Sequence, residues 1–327
     1  MTNWHNACCV AVQEPMAQTP HSSEMTRGAS QPSGTAPESS CASAEPELRV
    51  EAAGFTDVGH VRDRNEDAFL IATLQRSLVV HDASPGARGW FRGEPAGTLL
   101  IVADGMGGQG GGDVASSVAV NTVTKHLLNV MPWVRLGSSR ARSSQLGLRD
   151  ELSDAVLAGD ERVRAEGART VAPNMGTTLT LALLVPPLLY IAHVGDTRCY
   201  LLEHGELRCL TTDHNLAEKY AAESLQPVEP PVQLQHILWN ALGAGIDQPV
   251  PDVCKVPISP GAVVLLCSDG LNKHVPDQEI AAILAESGSP ASRAARLVER
   301  ANEAGGTDNI TALVATVLSA TEPEHQS

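Results

Sequence analysis

Two tight breaks inside one apolar stretch limit what this chain can fold into. From residue 179 the sequence runs LTLALLV, stops at Pro186-Pro187, resumes from residue 189 as LYIAHV to residue 194, and continues as RCYLLE from 198 to a second break at His204-Gly205. Both breaks are turn chemistry, and strands joined by turns this short must run antiparallel, because a parallel pair needs a long crossover. Strand patterns also cover residues 51–57, 68–72, 98–103, 262–268 and 310–318, and helical spacing covers 112–129, 148–166, 277–285 and 290–302. Hairpins with few strand–helix–strand alternations, and helices grouped in pairs, predict an α+β fold. Its antiparallel sheets are layered and covered by helices rather than doubly wound.

Residues 1–47 are rich in Ser, Pro, Thr, Ala and Glu without apolar periodicity and read as a disordered tail. One folded domain is expected over 48–319, with a disordered C-terminus at 320–327. A chain of 327 residues, 43% hydrophobic, supports one sizeable core, and aromatics at 3% leave that core to aliphatic side chains. Stretches 80–96 and 132–146 fit no element and read as exposed insertions. A net charge of −15 disfavours nucleic-acid binding, which needs clustered Lys and Arg. Seven cysteines without a CxxC pair argue against a disulfide framework or a zinc ribbon and fit a reducing, cytoplasmic setting. Cys199, Cys254 and Cys267 lie in or near apolar runs, as small core hydrophobes do, and Cys8-Cys9 lacks the membrane-directed flank of a lipidation site. The longest apolar stretch, 179–194, is broken by prolines and contains His193, so no membrane span is expected, and no secretory signal opens the chain.

Several apolar runs finish in an aspartate. LLIVAD ends at Asp104, YIAHVGD at Asp196 and VVLLCSD at Asp269, while GGTDNIT sets Asp308 just before the last strand. A buried strand is rigid, so a carboxylate at its end has a fixed position. One Asp-Gly after a strand is ordinarily a turn. Several brought to one place repel each other and stay ionised only beside cations. Oxygen ligands without His or Cys in the motif select Mg²⁺ or Mn²⁺ over zinc. The glycines from Gly105 to Gly112 let backbone approach an ion or a phosphate, and the Gly105 carbonyl can itself ligate. The same run reads equally as a flexible loop opening the next helix, and it matches neither a Walker nor a dinucleotide pattern. Arg62-Asp63-Arg64-Asn65-Glu66-Asp67 sets two carboxylates four and five residues after an arginine whose planar fork suits phosphate. In isolation that cluster is an exposed ion-pair turn.

The segments FTDVGHVRDRNEDAF, LLIVADGMGG, MGTTLTLALL, AHVGDTRCYLL, LTTDHNLAEKY, VVLLCSDGL and GGTDNIT occur in this order over about residues 50–318. Together they resemble the metal-dependent protein phosphatase 2C family, its bacterial members in particular. The resemblance implies a four-layer α-β-β-α sandwich with two central, mainly antiparallel sheets flanked by helix pairs. It implies a Mg²⁺- or Mn²⁺-dependent phosphatase acting on phosphoserine and phosphothreonine in proteins. Asp104 would bridge two ions, with the Gly105 carbonyl, Asp269 and Asp308 completing the inner set. Glu66 and Asp67 would hold metal-bound waters, and Asp196 would join Asp269 at a third, weaker ion. Arg62 falls where the family places its phosphate-binding arginine. A hydroxide shared by the two ions would attack phosphorus directly, without a phosphoenzyme.

Met106 stands where many eukaryotic relatives carry a histidine that serves as general acid, so the resemblance assigns no proton donor. Residues 217–242 resemble the family's flap but read QLQHILWNALG where an arginine–asparagine pair is more usual. The expected partners are phosphoproteins modified by a serine/threonine kinase, and a monomer is expected. Two other readings attach to the same residues. One is a catalytically dead relative used as a binding module, although such relatives typically lose metal carboxylates and none is missing here. The other is a hydrolase of small phosphates, for which a shallow carboxylate-rimmed site lacks the aromatic-lined pocket a nucleobase prefers.

Overall fold

The chain alternates strands and helices in blocks: β1 (Leu48–Asp57), β2 (Asp67–Val79), β3 (Trp90–Met106), α1 (Gly112–Val130), α2 (Ala141–Arg169), β4 (Gly176–Thr177), β5 (Leu179–Val185), β6 (Leu188–Val194), β7 (Arg198–Glu203), β8 (Glu206–Cys209), α3 (Leu216–Glu223), β9 (Leu242–Gly243), β10 (Asp252–Pro257), β11 (Val263–Cys267), α4 (Asp269–Asn272), α5 (Asp277–Ala285), α6 (Pro290–Glu303) and β12 (Ile310–Ser319). This computed structural model describes residues 48–79, 90–107, 111–130, 141–170, 172, 174–224 and 230–319, all within one compact unit, Glu47–Ser327. The expected tails at 1–47 and 320–327, with Cys8-Cys9, lie outside the described residues, as do 80–89 and 132–140 of the two expected insertions.

The strands form two antiparallel sheets. One has the order β1-β12-β11-β7-β8; the other runs β10-β6-β5-β3-β4-β9, with β2 also paired to β3. The period of two along a strand explains how they stack. In β3, Leu100 and Val102 meet Leu266, Leu313 and Ala315 between the sheets. The alternate residues Leu99, Ile101 and Ala103 pack under α1 and α2 against Ala119, Val123 and Leu152. In β11 the same division sends Val264 and Leu266 inward and Val263, Leu265 and Cys267 to α5 and α6, against Ile280, Leu284 and Leu297. Strands covered on both faces read as unbroken apolar runs, and the result is a four-layer α-β-β-α sandwich. Cys199 and Cys267 are fully buried in these layers.

Both expected turns are present. Pro186-Pro187 joins β5 to β6, and His204-Gly205, with φ of 53° and 81°, joins β7 to β8 with the left-handed pair that a two-residue hairpin requires. Two expectations are corrected. Residues 90–96, read as an insertion, belong to β3, because the strand continues past Pro95 and pairs with β2 across register shifts near Gln75. Residues 141–146 belong to α2 rather than a loop. Among the described residues, no helix is long and apolar enough to cross a membrane.

Candidate active site

The pairing of β2 with β3 sets Asp67 opposite Asp104, so two carboxylates from distant parts of the sequence start on adjacent strands at one end of a sheet. The backbone around Asp104 is fixed by threonines. Its N–H donates to Thr178 Oγ1 at 2.9 Å, and its carbonyl accepts from the Thr178 N–H and from Thr177 Oγ1, both at 2.9 Å. The second sheet contributes through β11, which ends one residue before Ser268, the N-cap of α4; Asp269 is the first residue of that helix. Ser268 Oγ and Thr311 Oγ1 donate to Asp67 Oδ2 at 2.7 and 2.6 Å, and so fasten one sheet to the other at the site. Asp67 Oδ1 and Asp269 Oδ1 are buried without a hydrogen-bond partner.

Asn309 holds the Arg62–Asp67 segment against the start of β12. Its Oδ1 accepts from the Glu66 N–H at 2.7 Å, and its Nδ2 donates to the carbonyls of Val58 and Arg64 at 3.0 and 2.9 Å. Asp308 accepts at Oδ1 from the Asn309 N–H at 2.9 Å and at Oδ2 from Arg62 Nη2, also at 2.9 Å. Asp196 follows Gly195, whose φ of 110° and closeness to Thr178 exclude a side chain: a Cβ there would lie 2.5 Å from Thr178 Cβ. The Gly195 N–H donates to His214 Nδ1 at 3.1 Å, and the His214 N–H returns a bond to the Gly195 carbonyl at 2.7 Å. The Trp239 N–H donates in turn to the His214 carbonyl at 3.0 Å, which ties the base of the 217–242 segment to the turn carrying Asp196. Within that segment, residues 225–229 lie outside the described residues.

Glycine makes room beside Glu66. The Gly105 N–H donates to the Glu66 carbonyl at 3.1 Å; a Cβ on Gly105 would lie 2.1 Å from the Gly112 carbonyl oxygen, and one on Gly112 would lie 2.7 Å from Glu66 Cδ. Gly112→Ala should therefore displace the Glu66 carboxylate; with Glu66 holding a metal-bound water, as the resemblance implies, Mn²⁺ binding should weaken about ten- to a hundredfold, the scale of losing a group that supports a metal's ligands. Unchanged affinity in a calorimetric titration would remove Glu66 from the metal's surroundings.

The carboxylates act on one another. Burial pushes Asp104 well above the usual carboxylate range, and the charges of Asp67, Asp269, Asp196 and Asp308 add to it. Burial likewise pushes Asp67 up to about 7, helped by Asp269 and Asp308 and opposed by the hydrogen bonds from Thr311 and Ser268. Asp196 is pushed up to about 7 by burial and then by Asp269. Glu66 is raised by burial and by Asp113, while the hydrogen bond to Asp308 raises Arg62. All eight sequence-predicted positions are thus linked by backbone pairing, hydrogen bonds or charge. Among the described residues, however, no three His, Cys, Asp or Glu side chains close around a point tightly enough to hold an ion by themselves. A cation here needs further ligands from backbone or water.

Residues that sequence reading passed over are Thr177, Thr178, Ser268, Thr311, Asn309 and Lys273, whose Nζ forms an ion pair with Asp269 Oδ2. Each lies within a few residues, along the chain or across a strand pair, of a predicted carboxylate, but adjacency alone did not mark them.

The Protein phosphatase 2C profile matches residues 73–315. The serine/threonine phosphatase stp of Listeria welshimeri is 32% identical over 265 residues, covering 79% of this chain and 92% of that protein. The crystal structure of the catalytic domain of serine/threonine protein phosphatase PstP in complex with two manganese ions is similar with a TM-score of 0.63 and 30% identity, covering 83% of this chain and all of that one. The Mycobacterium tuberculosis serine/threonine phosphatase PstP/Ppp gives a TM-score of 0.63 at 29% identity, covering 82% and 98%. The chain belongs to the protein phosphatase 2C family of metal-dependent serine/threonine protein phosphatases.

Proposed function

We propose that this chain removes phosphate from phosphoserine and phosphothreonine of other proteins at the carboxylate cluster beside Arg62. What carries the reading is the pair of buried, unpartnered oxygens, Asp67 Oδ1 and Asp269 Oδ1, amid carboxylates whose pKa values rise together. An oxygen-only donor set with excess negative charge and a glycine-lined backbone fits hard divalent cations. In this reading Asp104, the Gly105 carbonyl, Asp269 and Asp308 would hold two Mn²⁺ or Mg²⁺ ions, with Glu66 and Asp67 acting through water. When bound, the two ions acidify water to a hydroxide nucleophile near neutral pH and neutralise phosphoryl charge.

The chain's own residues supply position. Asp308 anchors the Arg62 guanidinium, whose side chain is 52% exposed and so can reach a substrate phosphate. Thr177 and Thr178 hold Asp104 in place, and Ser268 and Thr311 orient Asp67 so that one oxygen is engaged and the other left over. Met106 has no transferable proton, so the leaving serine or threonine oxygen takes its proton from another group, water included. The same reading puts a catalytic domain at 48–319 between two tails, working as a cytoplasmic monomer against a serine/threonine kinase.

The decisive assay is Mn²⁺-dependent phosphate release from a phosphothreonine peptide. Turnover by Asp269→Asn equal to the wild type would overturn the site, and faster cleavage of nucleotides than of phosphopeptides would favour a small-phosphate hydrolase.

Acidity offers a second check. Without cations Asp67 and Asp196 stand near 7 in the fold, above the roughly 3.9 of an unfolded aspartate. Their contribution to metal-free stability is therefore complete below about pH 4 and is lost as pH rises through about 7. Mn²⁺ should raise the melting temperature more at pH 8 than at pH 6, and its binding at pH 6 should release protons, read by calorimetry in buffers of different ionisation heat. Equal shifts at both values, with no proton release, would contradict the cluster.

A further inference from the structure

We infer that the Lys273 ammonium is a built-in cation that takes the place of a third, weaker metal ion between Asp269 and Asp196. This rests on the metal-binding reading above.

The short helix α4 begins on Asp269, and a spacing of four places Lys273 one turn on, over the same face. There Lys273 Nζ forms an ion pair with Asp269 Oδ2, while Asp269 Oδ1 is buried and unpartnered. The two oxygens are thus already divided: one is committed to an ammonium and one remains for an ion. The lysine side chain is 32% exposed, and its backbone N–H donates to the Asp269 carbonyl at 3.0 Å, so its base is set by the helix it neutralises.

Its charge reaches beyond its direct partner. Asp196 is only 8% exposed and makes no direct ion pair among the described residues; burial and the charges of Asp269 and Asp213 oppose its ionisation, and the Lys273 ammonium favours it to a lesser degree. Asp308 is felt by the same ammonium. A divalent ion taking Asp269 Oδ2 as a ligand would have to displace this tethered charge or be repelled by it. A covalently attached cation also needs no metal concentration to be present, so Asp269 Oδ2 keeps a positive partner when divalent ions are scarce.

The test counts ions rather than turnover. Full-length protein, its Lys273→Met variant and its Lys273→Arg variant are titrated with Mn²⁺ by calorimetry, with free Mn²⁺ followed by electron paramagnetic resonance. The expected result is two equivalents bound by the wild type and by the arginine variant. The methionine variant gains a third, at least about tenfold tighter than any third event in the wild type, the scale of removing one like-charge contact. A third equivalent bound as tightly by the wild type as by the methionine variant would overturn the role of Lys273 and leave the two-ion site standing. Absence of Mn²⁺ binding in all three proteins would sink the metal reading and this inference together. Should Lys273→Met fail to fold, the wild type decides alone: a third equivalent filled at free Mn²⁺ below about 1 mM, the weak end of carboxylate sites, rejects the proposal.

Discussion

Asp104→Asn should lower phosphatase turnover by on the order of a thousandfold while raising the melting temperature of the metal-free protein. The two effects have one cause. Asp104 faces Asp67 across the β2–β3 ladder, and burial together with the charges of Asp67, Asp269, Asp196 and Asp308 opposes its ionisation. An amide of the same shape keeps the threonine-fixed backbone but removes the charge. The fold is then relieved of a buried anion, and the ligand proposed to bridge two ions is lost. Phosphopeptide kinetics and thermal unfolding with and without Mn²⁺ read both. A variant that turned over normally would show that Asp104 bridges nothing, and one that melted lower without metal would show that the carboxylates do not oppose one another.

The second large effect is on stability alone. Arg198 Nε and Nη2 donate to the two oxygens of Asp213, each at 2.8 Å, and Nη1 donates to Tyr200 Oη at 3.0 Å. Tyr200 Oη donates onward to Asp277 Oδ1 at 3.2 Å, at the first turn of α5. The pair is largely buried, with side chains 26% and 10% exposed. Arg198→Met leaves the largely buried Asp213 carboxylate without its cation, with only the Asn215 Nδ2 donor at 3.5 Å, and should cost about 3–5 kcal/mol of unfolding free energy in urea. Adding Asp213→Asn should return a substantial part of that loss, since the orphaned charge, not the missing attraction, dominates. A loss under about 1 kcal/mol would mean that the pair is screened like an ordinary surface one.

Much of this architecture could be read from residues. The segments 179–185, 198–203 and 277–285 are found with the bounds their patterns predict, because double-sided burial and amphipathic spacing leave clear signatures at both ends. The strands at Gly176–Thr177 and Leu242–Gly243 escaped notice: two residues cannot show a period, and these pair through backbone with Gly105 and Met106 or with each other. The long start of β3 was hidden by Gly93, Pro95 and Gly97, residues that mark loops but here continue the ladder. At the site, carboxylates at strand ends were legible because an acid after an apolar run is conspicuous. Thr178, Thr311, Ser268 and Asn309 were not, since hydroxyl and amide side chains are common everywhere and gain meaning only when the two sheets bring them to Asp67, Asp104 and Glu66. Lys273 was invisible for the same reason: nothing in a lone lysine tells which acid it will meet.

The opposition of Asp67 and Asp104 across one hairpin also links the longevity of this protein to mineral supply. Whatever binds only the folded chain shifts it away from unfolding, by about 2.7 kcal/mol at a hundredfold excess over its dissociation constant. Starved of divalent ions, the same molecules open more often and meet proteases more often. Phosphatase abundance, and not merely its speed, should then follow the availability of manganese or magnesium.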